Sequence, residues 1–342
     1  MMLTVTGGVM ASEESFEPGK FIFGHTRNAY GWHITTLTKE NGEKQHVSIP
    51  LPVIVKSANN GWMLFSSEHL EEGSYVCDGT EFRLSEDPTM VGRLVEVVDG
   101  EEVRPWDLSI TKDVMEVLIA AGFLLIVFFS LTRHYKRNPM KAPGGFLGCI
   151  EVVVLFIVNE VCKPCIGKDY KRYTPYLLTV FFFIWTLNLL GMIPIFPGGA
   201  NVTGNLAVTM VLASVSFVFI NVFASKEYWK DIFLVPASPM WLKVPVPIMP
   251  LLEFVGVFTK PLALMIRLFA NILAGHIIEL VFMVLIFIFG MKSQSMGAGV
   301  GVFSVLFAFF MQVLEVLLAS IQAYVFTLLS AVFIGLSKVE SE

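Results

Sequence analysis

A chain of 342 residues in which 54% are hydrophobic, with a mean hydropathy of +0.67, is too apolar for a soluble domain of this size. The net charge of −5 is unevenly spread, because Asp and Glu outnumber Lys and Arg by 17 to 8 in residues 1–108 and are outnumbered by 12 to 16 beyond them. Composition therefore excludes a single soluble globular domain and predicts a small acidic domain followed by a slightly basic membrane domain.

The N-terminal region divides into two expected parts. Residues 1–19 begin with an apolar stretch that has no basic start, so they are expected to be the remnant of a signal sequence or a flexible terminus. Residues 20–108 are expected to form a small extracytoplasmic β domain, since β-branched and aromatic runs alternate there with turn pairs. The runs lie at 46–56, 61–65 and 94–98. Asn41-Gly42 predicts a hairpin between strands at 35–39 and 46–49.

Cysteine and histidine spacing in the chain favours neither a disulfide framework nor a metal site. Cys77 is the only cysteine of the acidic domain, and its histidines have no metal-ligand spacing. The pair Cys162 and Cys165 has the spacing of a redox motif, but no βαβ pattern surrounds it. Ordinary cysteines beside a membrane segment are the favoured interpretation.

Residues 109–342 are expected to form an α-helical polytopic membrane domain with about five spanning helices. Three spans are predicted at 114–131, 176–193 and 205–223, and an interfacial helix is predicted at 149–161. Basic residues cluster in the loops 133–141 and 163–172, which both join the first span to the second. The positive-inside rule then places these loops in the cytoplasm and the acidic domain outside.

The last third of the chain holds two apolar stretches of unusual length. Five prolines in residues 235–250 exclude a regular helix there. The stretch at 251–290 would be about 60 Å long as a helix, twice the hydrocarbon thickness. It must break into two helices or lie strongly tilted. A second stretch, 297–336, has a similar excess length.

Ionisable residues inside these two stretches are the candidate functional residues, because a charge in lipid is rarely kept without a role. Arg267 and Glu315 lie deepest. Arg267 is nine positions from His276, so the two face opposite sides of an unbroken helix. Each of the other three has a structural alternative: Glu279 as a pore-facing or paired acid, His276 as a packed histidine and Gln322 as an interhelical hydrogen-bonding residue.

Residues 260–276, Lys-Pro-Leu-Ala-Leu-Met-Ile-Arg-Leu-Phe-Ala-Asn-Ile-Leu-Ala-Gly-His, resemble the signature of subunit a of the F-type ATP synthases. Residues 321–326 also resemble the signature of that family, and residues 188–194 resemble the end of its second span. The resemblance covers roughly residues 110–336. The acidic domain is similar to the extended N terminus of Bacteroidetes-type members.

The resemblance implies a role for each matching residue. Arg267 would be the stator arginine that faces the carboxylate of the c-ring, flanked by Asn271 and Gln322. His276 and Glu315 would be the acid–imidazole pair of an ion channel, exchanged between the two long helices relative to one well-known bacterial arrangement. Glu279 would join them in relaying ions.

The function implied is that of a subunit of the H⁺-transporting two-sector ATPase that catalyses no covalent step itself. Its expected partners are the c-ring, subunit b of the peripheral stalk, the rest of the F1Fo complex and the lipid bilayer. No cofactor, metal or nucleic acid is expected, and the expected location is the bacterial inner membrane. The sequence leaves open whether H⁺ or Na⁺ is carried.

Two other functions remain as alternatives from the sequence. A secondary transporter with an outer binding domain requires internal repeats with paired broken helices, and no such repeat is visible. A membrane-anchored binding protein requires one span and leaves Arg267 unexplained.

Overall fold

The computed structural model contains a strand-rich N-terminal region followed by helices. It describes residues 28–38, 44–58, 60–71, 73–85, 87, 90–98, 100–193, 198–234, 248–292 and 294–337. The expected terminus at 1–19, the Asn41-Gly42 turn and residues 235–247 of the proline-rich segment lie outside this part of the chain.

The described residues of the N-terminal region form three small antiparallel sheets. Its described strands are β1 (Gly31–Thr38), β2 (Lys44–Pro50), β3 (Pro52–Ser57), β4 (Gly61–Ser66), β5 (Ser74–Cys77), β6 (Thr80–Leu84), β7 (Leu94–Val98), β8 (Glu101–Val103) and β9 (Trp106–Asp107), with a short helix α1 (Glu68–Glu71). β1 pairs with β2, β3 lies between β4 and β9, and β5 to β8 pair in sequence order. The small β region expected near the N terminus is thus confirmed, whereas its bounds at 20–108 and its extracytoplasmic location stay predictions.

Local sequence explains the strand boundaries. The predicted run at 46–56 divides at Leu51, because the prolines on both sides of Leu51 interrupt it. Asp78 and Gly79 have φ angles of 46° and 79°, which is the backbone that a tight two-residue hairpin between β5 and β6 requires. The alternating residues Val53 and Val55 of β3 point into the core of this domain, as the period of two predicts.

Helices account for most of the chain beyond residue 111. They are α2 (Lys112–Arg137), α3 (Gly145–Phe156), a π-helical segment (Ile157–Cys162), α4 (Lys163–Ile166), a 3-10 turn (Gly167–Asp169), α5 (Tyr170–Gly191), α6 (Leu206–Val222), α7 (Lys226–Leu234), α8 (Ile248–Lys292) and α9 (Gln294–Leu336).

In the part of the chain that the structure describes, four helical segments are long and apolar enough to cross a membrane, and α6 is a shorter apolar helix. The four segments are Lys112–Arg137, Gly145–Gly191, Pro250–Phe282 and Gly301–Leu336. The chain is therefore a multi-pass helical membrane protein with a small β domain, as the sequence predicted. The interfacial position expected for residues 149–161 stays a prediction.

The first long apolar stretch forms one unbroken helix, so the alternative of two helices is wrong. α8 has 45 residues and continues through Pro261. At a rise of 1.5 Å per residue it is about 68 Å long, so it fits within a bilayer only if it is strongly tilted or extends beyond it. α9 has 43 residues and packs against α8 in the antiparallel direction.

The β domain is fastened to the beginning of α2 by the segment that precedes β1. The backbone N–H of Lys112 donates to the carbonyl of Ala29 at 2.9 Å. Asn28 uses both ends of its side-chain amide, since its Nδ2 donates to Thr111 Oγ1 at 3.0 Å and its Oδ1 accepts from Asp113 N at 3.3 Å. Asn28 thus satisfies a backbone donor at the start of α2 that the helix itself leaves unpaired.

Candidate functional site

Arg267 lies on the exposed face of α8. Leu264, Met265 and Leu268 point into the protein and are buried, whereas Arg267 and its neighbour Ile266 are exposed. Among the described side chains no carboxylate lies within salt-bridge distance of the guanidinium. A permanently charged group therefore sits on a membrane-length helix whose surrounding surface is largely apolar.

Asn271 is one turn beyond Arg267 and connects α8 to α9. Its Nδ2 donates to Gln322 Oε1 at 2.9 Å. Gln322 is buried, and its Nε2 has no hydrogen-bond partner among the described residues. The two amides thus fix the register of the long helices beside Arg267.

α5 holds the same region of α9 from the other side. Trp185 Nε1 donates to Ser320 Oγ at 3.0 Å, and Asn188 Nδ2 donates to the carbonyl of Ala319 at 3.3 Å. These contacts fix α9 immediately before Gln322. Residues 188–194, which carry part of the family resemblance, therefore begin at a contact with the candidate site.

Glu315 packs across Gly275 of α8. A Cβ atom on Gly275 would lie 2.7 Å from Glu315 Oε1, which no side chain tolerates without a shift of the carboxylate. Glu315 is buried, and Gly275 leaves the space that its carboxylate occupies. The structure therefore places Glu315 beside the backbone of the residue that precedes His276.

His276 points away from Arg267 and towards α5. Its Nε2 lies 3.8 Å from the position that a Cβ atom would take on Gly191, the last residue of α5. His276 is partly buried, whereas Arg267 is exposed. The half-turn separation that the spacing of nine residues predicts is therefore present in the helix.

Comparison with known proteins places this arrangement in a family. The family model described as ATP synthase A chain matches residues 114–335, and a domain of unknown function (DUF8433) matches residues 21–108. ATP synthase subunit a of Chloroherpeton thalassium is 40% identical over 276 residues, which are 79% of this chain and 77% of that protein. ATP synthase subunit a of Myxococcus xanthus is 42% identical over 237 residues, 68% of this chain and 73% of that protein.

The chain belongs to the ATP synthase subunit a family. The resemblance carried by the arginine motif is thereby confirmed, and the alternative of a secondary transporter is not favoured. Within the family fold, α8 and α9 are the two long helices that carry every candidate residue predicted from the sequence.

Three other ionisable residues of α8 are Glu253, Lys260 and Glu279. Glu279 lies on α8, but its side chain is outside the described part of the chain. Glu253 is exposed, and the ammonium of Lys260 lies 5.3 Å from the ring centre of Phe333. Lys260 therefore makes a cation–π contact with α9, which fits a partly sheltered cation at the edge of the membrane.

Two buried carboxyl groups of α2 were not among the sequence candidates. Asp113 and Glu116 lie one turn apart in the first two turns of α2, and both are buried. Glu116 Oε1 lies 3.9 Å from the position that a Cβ atom would take on Gly191, which is also the position from which His276 Nε2 is 3.8 Å away. The available signal was the i, i+3 spacing of two acids at the start of an apolar span.

Proposed function

We propose that this chain is the stator subunit a of the Fo sector of an F1Fo ATP synthase. It forms two ion half-channels against a c-ring and couples the flow of H⁺ to rotation and ATP synthesis. One elementary charge that crosses 100 mV releases about 2.3 kcal/mol, which is the driving force that the subunit must direct through the ring. The synthesis of ATP itself belongs to other subunits.

The observation that carries this proposal is the exposed guanidinium of Arg267 on a membrane-length helix. Arginine stays protonated in proteins, and a charge facing lipid costs several kcal/mol. A carboxylate supplied by another subunit would remove that penalty. In turn, the guanidinium favours the ionised form of a ring carboxylate that passes it, so that carboxylate must release its proton before it reaches Arg267.

Small exposed residues around Arg267 support close approach by a helix of the ring. Ala263, Ala270 and Ala274 are exposed on α8 and lie within two turns of Arg267. Small side chains let the backbones of two membrane helices come close together, which brings a short carboxylate within reach of the guanidinium. Asn271 and Gln322 flank this contact, and His276, Glu315 and Glu279 relay protons between water and ring.

The proposed location is the bacterial inner membrane, with the β domain in the periplasm and the loops at 133–172 in the cytoplasm. α2 supports this orientation, because it leads from the β domain at Lys112 to a basic end at Lys136 and Arg137, about 38 Å away. The proposed partners are the c-ring, subunit b of the peripheral stalk and the rest of the F1Fo complex.

The test replaces Arg267 in the assembled complex. Arg267→Ala should abolish ATP synthesis in energised vesicles while the complex still assembles, and Arg267→Lys should lose most of it, because a lysine in a low-dielectric site can lose its proton. Arg133→Ala is the matched control, since Arg133 is an exposed arginine on α2. Normal synthesis in either Arg267 variant would refute the stator assignment.

A further inference from the structure

The two carboxyl groups at the beginning of α2 are buried in a part of the protein where an unpaired charge is expensive. Asp113 is 6% exposed and Glu116 is fully buried. Their spacing of three residues places them on the same face of α2. Carboxyl groups in such a position need hydrogen-bond partners or must carry a proton.

Asp113 connects this face to a cleft beneath the β domain. Asp113 Oδ2 accepts a hydrogen bond from Asn205 Nδ2 at 2.8 Å. Asn205 also lines a cleft of about 470 Å³ between the β domain and the starts of α2 and α6. The polar lining of this cleft includes Tyr30, Arg93, Arg104, Asp107, Thr111 and Asn205. The cleft is large enough and polar enough to hold water.

Glu116 connects the same face to the interior of the membrane domain. Its Oε2 accepts from the backbone N–H of Ala200 at 2.9 Å, which holds the carboxyl group in place. Its Oε1 is buried and has no hydrogen-bond partner among the described residues. A Cβ atom on Gly191 would lie 3.9 Å from this oxygen and 3.8 Å from His276 Nε2. Both groups therefore border the space that Gly191 leaves open because it has no side chain.

A series of polar side chains therefore leads from the cleft beneath the β domain to the two long helices α8 and α9. Asn205 at the cleft contacts Asp113, Glu116 follows one turn later, His276 shares the space above Gly191, and Glu315 packs against Gly275. Apart from the step from Asp113 to Glu116 within α2, these contacts join residues that are far apart in the sequence, so the fold brings them together and no local motif contains them.

We propose that Asp113 and Glu116 carry protons from the cleft beneath the β domain to His276, and that the β domain forms the outer mouth of this path. The proposal rests on the proposed function of the subunit. A hydronium ion in the cleft gives its extra proton to Asp113 and becomes water, and Asp113 passes the proton to Glu116. The protonated Glu116 then donates through water above Gly191 to His276 Nε2, and the Glu116 carboxylate takes its next proton from Asp113. No electron moves in these steps.

Glu116→Gln is the first test, because glutamine can still accept the hydrogen bond from Ala200 N but cannot carry a proton. Passive proton flux is measured in vesicles that contain the Fo complex after removal of F1, with a potassium diffusion potential and a pH-sensitive dye. Flux should fall at least about tenfold, which is a conservative bound because a positioned proton-transfer group typically contributes about 100-fold to 10,000-fold. Glu160→Gln, at an exposed acid of the π-helical segment, should leave the flux unchanged.

Gly191→Ala tests the same path without removing a titratable group. The added methyl group would lie 3.8 Å from His276 Nε2 and 3.9 Å from Glu116 Oε1, where it would exclude water from the space that both groups border. It would also lie 3.1 Å from the carbonyl of Ala200, which is tight but can be relieved by a small shift. Flux should fall severalfold. Gly122→Ala is the matched control, since a Cβ atom on Gly122 of α2 meets nothing within 4 Å.

The mouth of the path is tested separately with a cysteine at Ala207, which lines the cleft. In a chain whose native cysteines are replaced, a bulky membrane-impermeant thiol reagent should block flux through Ala207→Cys. It should not block flux through Glu101→Cys, an exposed position of the β domain. Full modification of Ala207→Cys without loss of flux would overturn the proposed mouth.

The outcomes separate this proposal from the function on which it rests. Wild-type flux in an assembled Glu116→Gln complex overturns the relay, and so does wild-type flux in Gly191→Ala if Glu116→Gln fails to assemble. Arg267→Ala is measured in parallel. If it abolishes synthesis while Glu116→Gln conducts normally, the relay alone is wrong; if it synthesises ATP normally, the stator assignment is wrong.

Discussion

Replacing Gly275 with alanine would place a methyl group 2.7 Å from Oε1, 3.1 Å from Cδ and 3.4 Å from Cγ of Glu315. In an open helix position the same change stabilises a helix by about 0.8–1 kcal/mol. Overpacking in a protein interior typically costs about 1–3 kcal/mol, so the two effects largely offset each other. The net change in stability should therefore be destabilising by no more than about 2 kcal/mol.

The effect on ion flow should be much larger than the effect on stability. The methyl group meets the flexible end of Glu315, so the carboxylate moves and the packing of α8 against α9 is kept. A displacement of about 1 Å at a group that transfers protons can lower a rate by about 100-fold. Gly275→Ala should therefore assemble normally, with a severe loss of proton-driven ATP synthesis.

The control and the rescue are both available within this chain. Gly256 lies on the same helix, and a Cβ atom there meets nothing within 4 Å, so Gly256→Ala should leave synthesis unchanged. The double variant Gly275→Ala with Glu315→Asp withdraws the carboxylate by about one bond length and should recover part of the lost activity, as coupled neighbours do. Equal activity of Gly275→Ala and Gly256→Ala in assembled complexes would refute the reasoning.

Three further predictions concern other parts of the molecule. The exchange His276→Glu with Glu315→His should recover flux that either single change, His276→Ala or Glu315→Gln, loses; strictly additive losses would show that the two residues act independently. In a chain whose native cysteines are replaced, Glu101→Cys should react with an impermeant reagent in spheroplasts and Lys141→Cys should not; the reverse pattern would contradict the proposed orientation. Burial, and secondarily a hydrogen bond to a carboxylate, raises the pKa of Tyr30. The protonated Tyr30 therefore adds to the free energy of unfolding in full at pH values below about 10, the pKa of tyrosine in the unfolded chain. This contribution is lost as the pH rises through the higher pKa of Tyr30 in the folded protein. Wild type and Tyr30→Phe should then show the same tyrosinate absorbance at about pH 10, and an excess in wild type would count against the raised pKa.

The helical period predicted the faces of α8 because the helix is unbroken. Nine residues at 100° each separate Arg267 from His276 by half a turn, and the structure shows one exposed and the other turned towards α5. The choice between a broken and a continuous helix was not decided by composition, since Pro261 is compatible with either. Contacts with α9 support the continuous form, since they extend along α8 from Lys260 against Phe333 to Phe282 against Phe307.

The role proposed for Glu116 could not be inferred from its own neighbourhood in the sequence. It lies near the start of the apolar span predicted at 114–131, where an acid is as easily explained by the edge of the membrane. Its position becomes informative only when the end of α5 supplies Gly191 and the following loop supplies the N–H of Ala200. These contacts join residues 75 or more positions apart, and a pattern confined to one helix cannot contain them.

The arrangement of charges around α8 gives a physical reason why, in the proposed function, ions would travel with the ring. Along the helix axis, Arg267 and His276 are about 13.5 Å apart, and they face opposite sides. Leu268 and Ile272 lie between them and are buried, so a direct path through the subunit would cross an apolar layer. A charge in such a layer is expensive, whereas a ring carboxylate that takes up its proton on the His276 and Glu315 side can pass the lipid in neutral form. In the proposed complex, Arg267 would favour the ionised form of that carboxylate on its own face, so that rotation of the ring would be the path of lower energy.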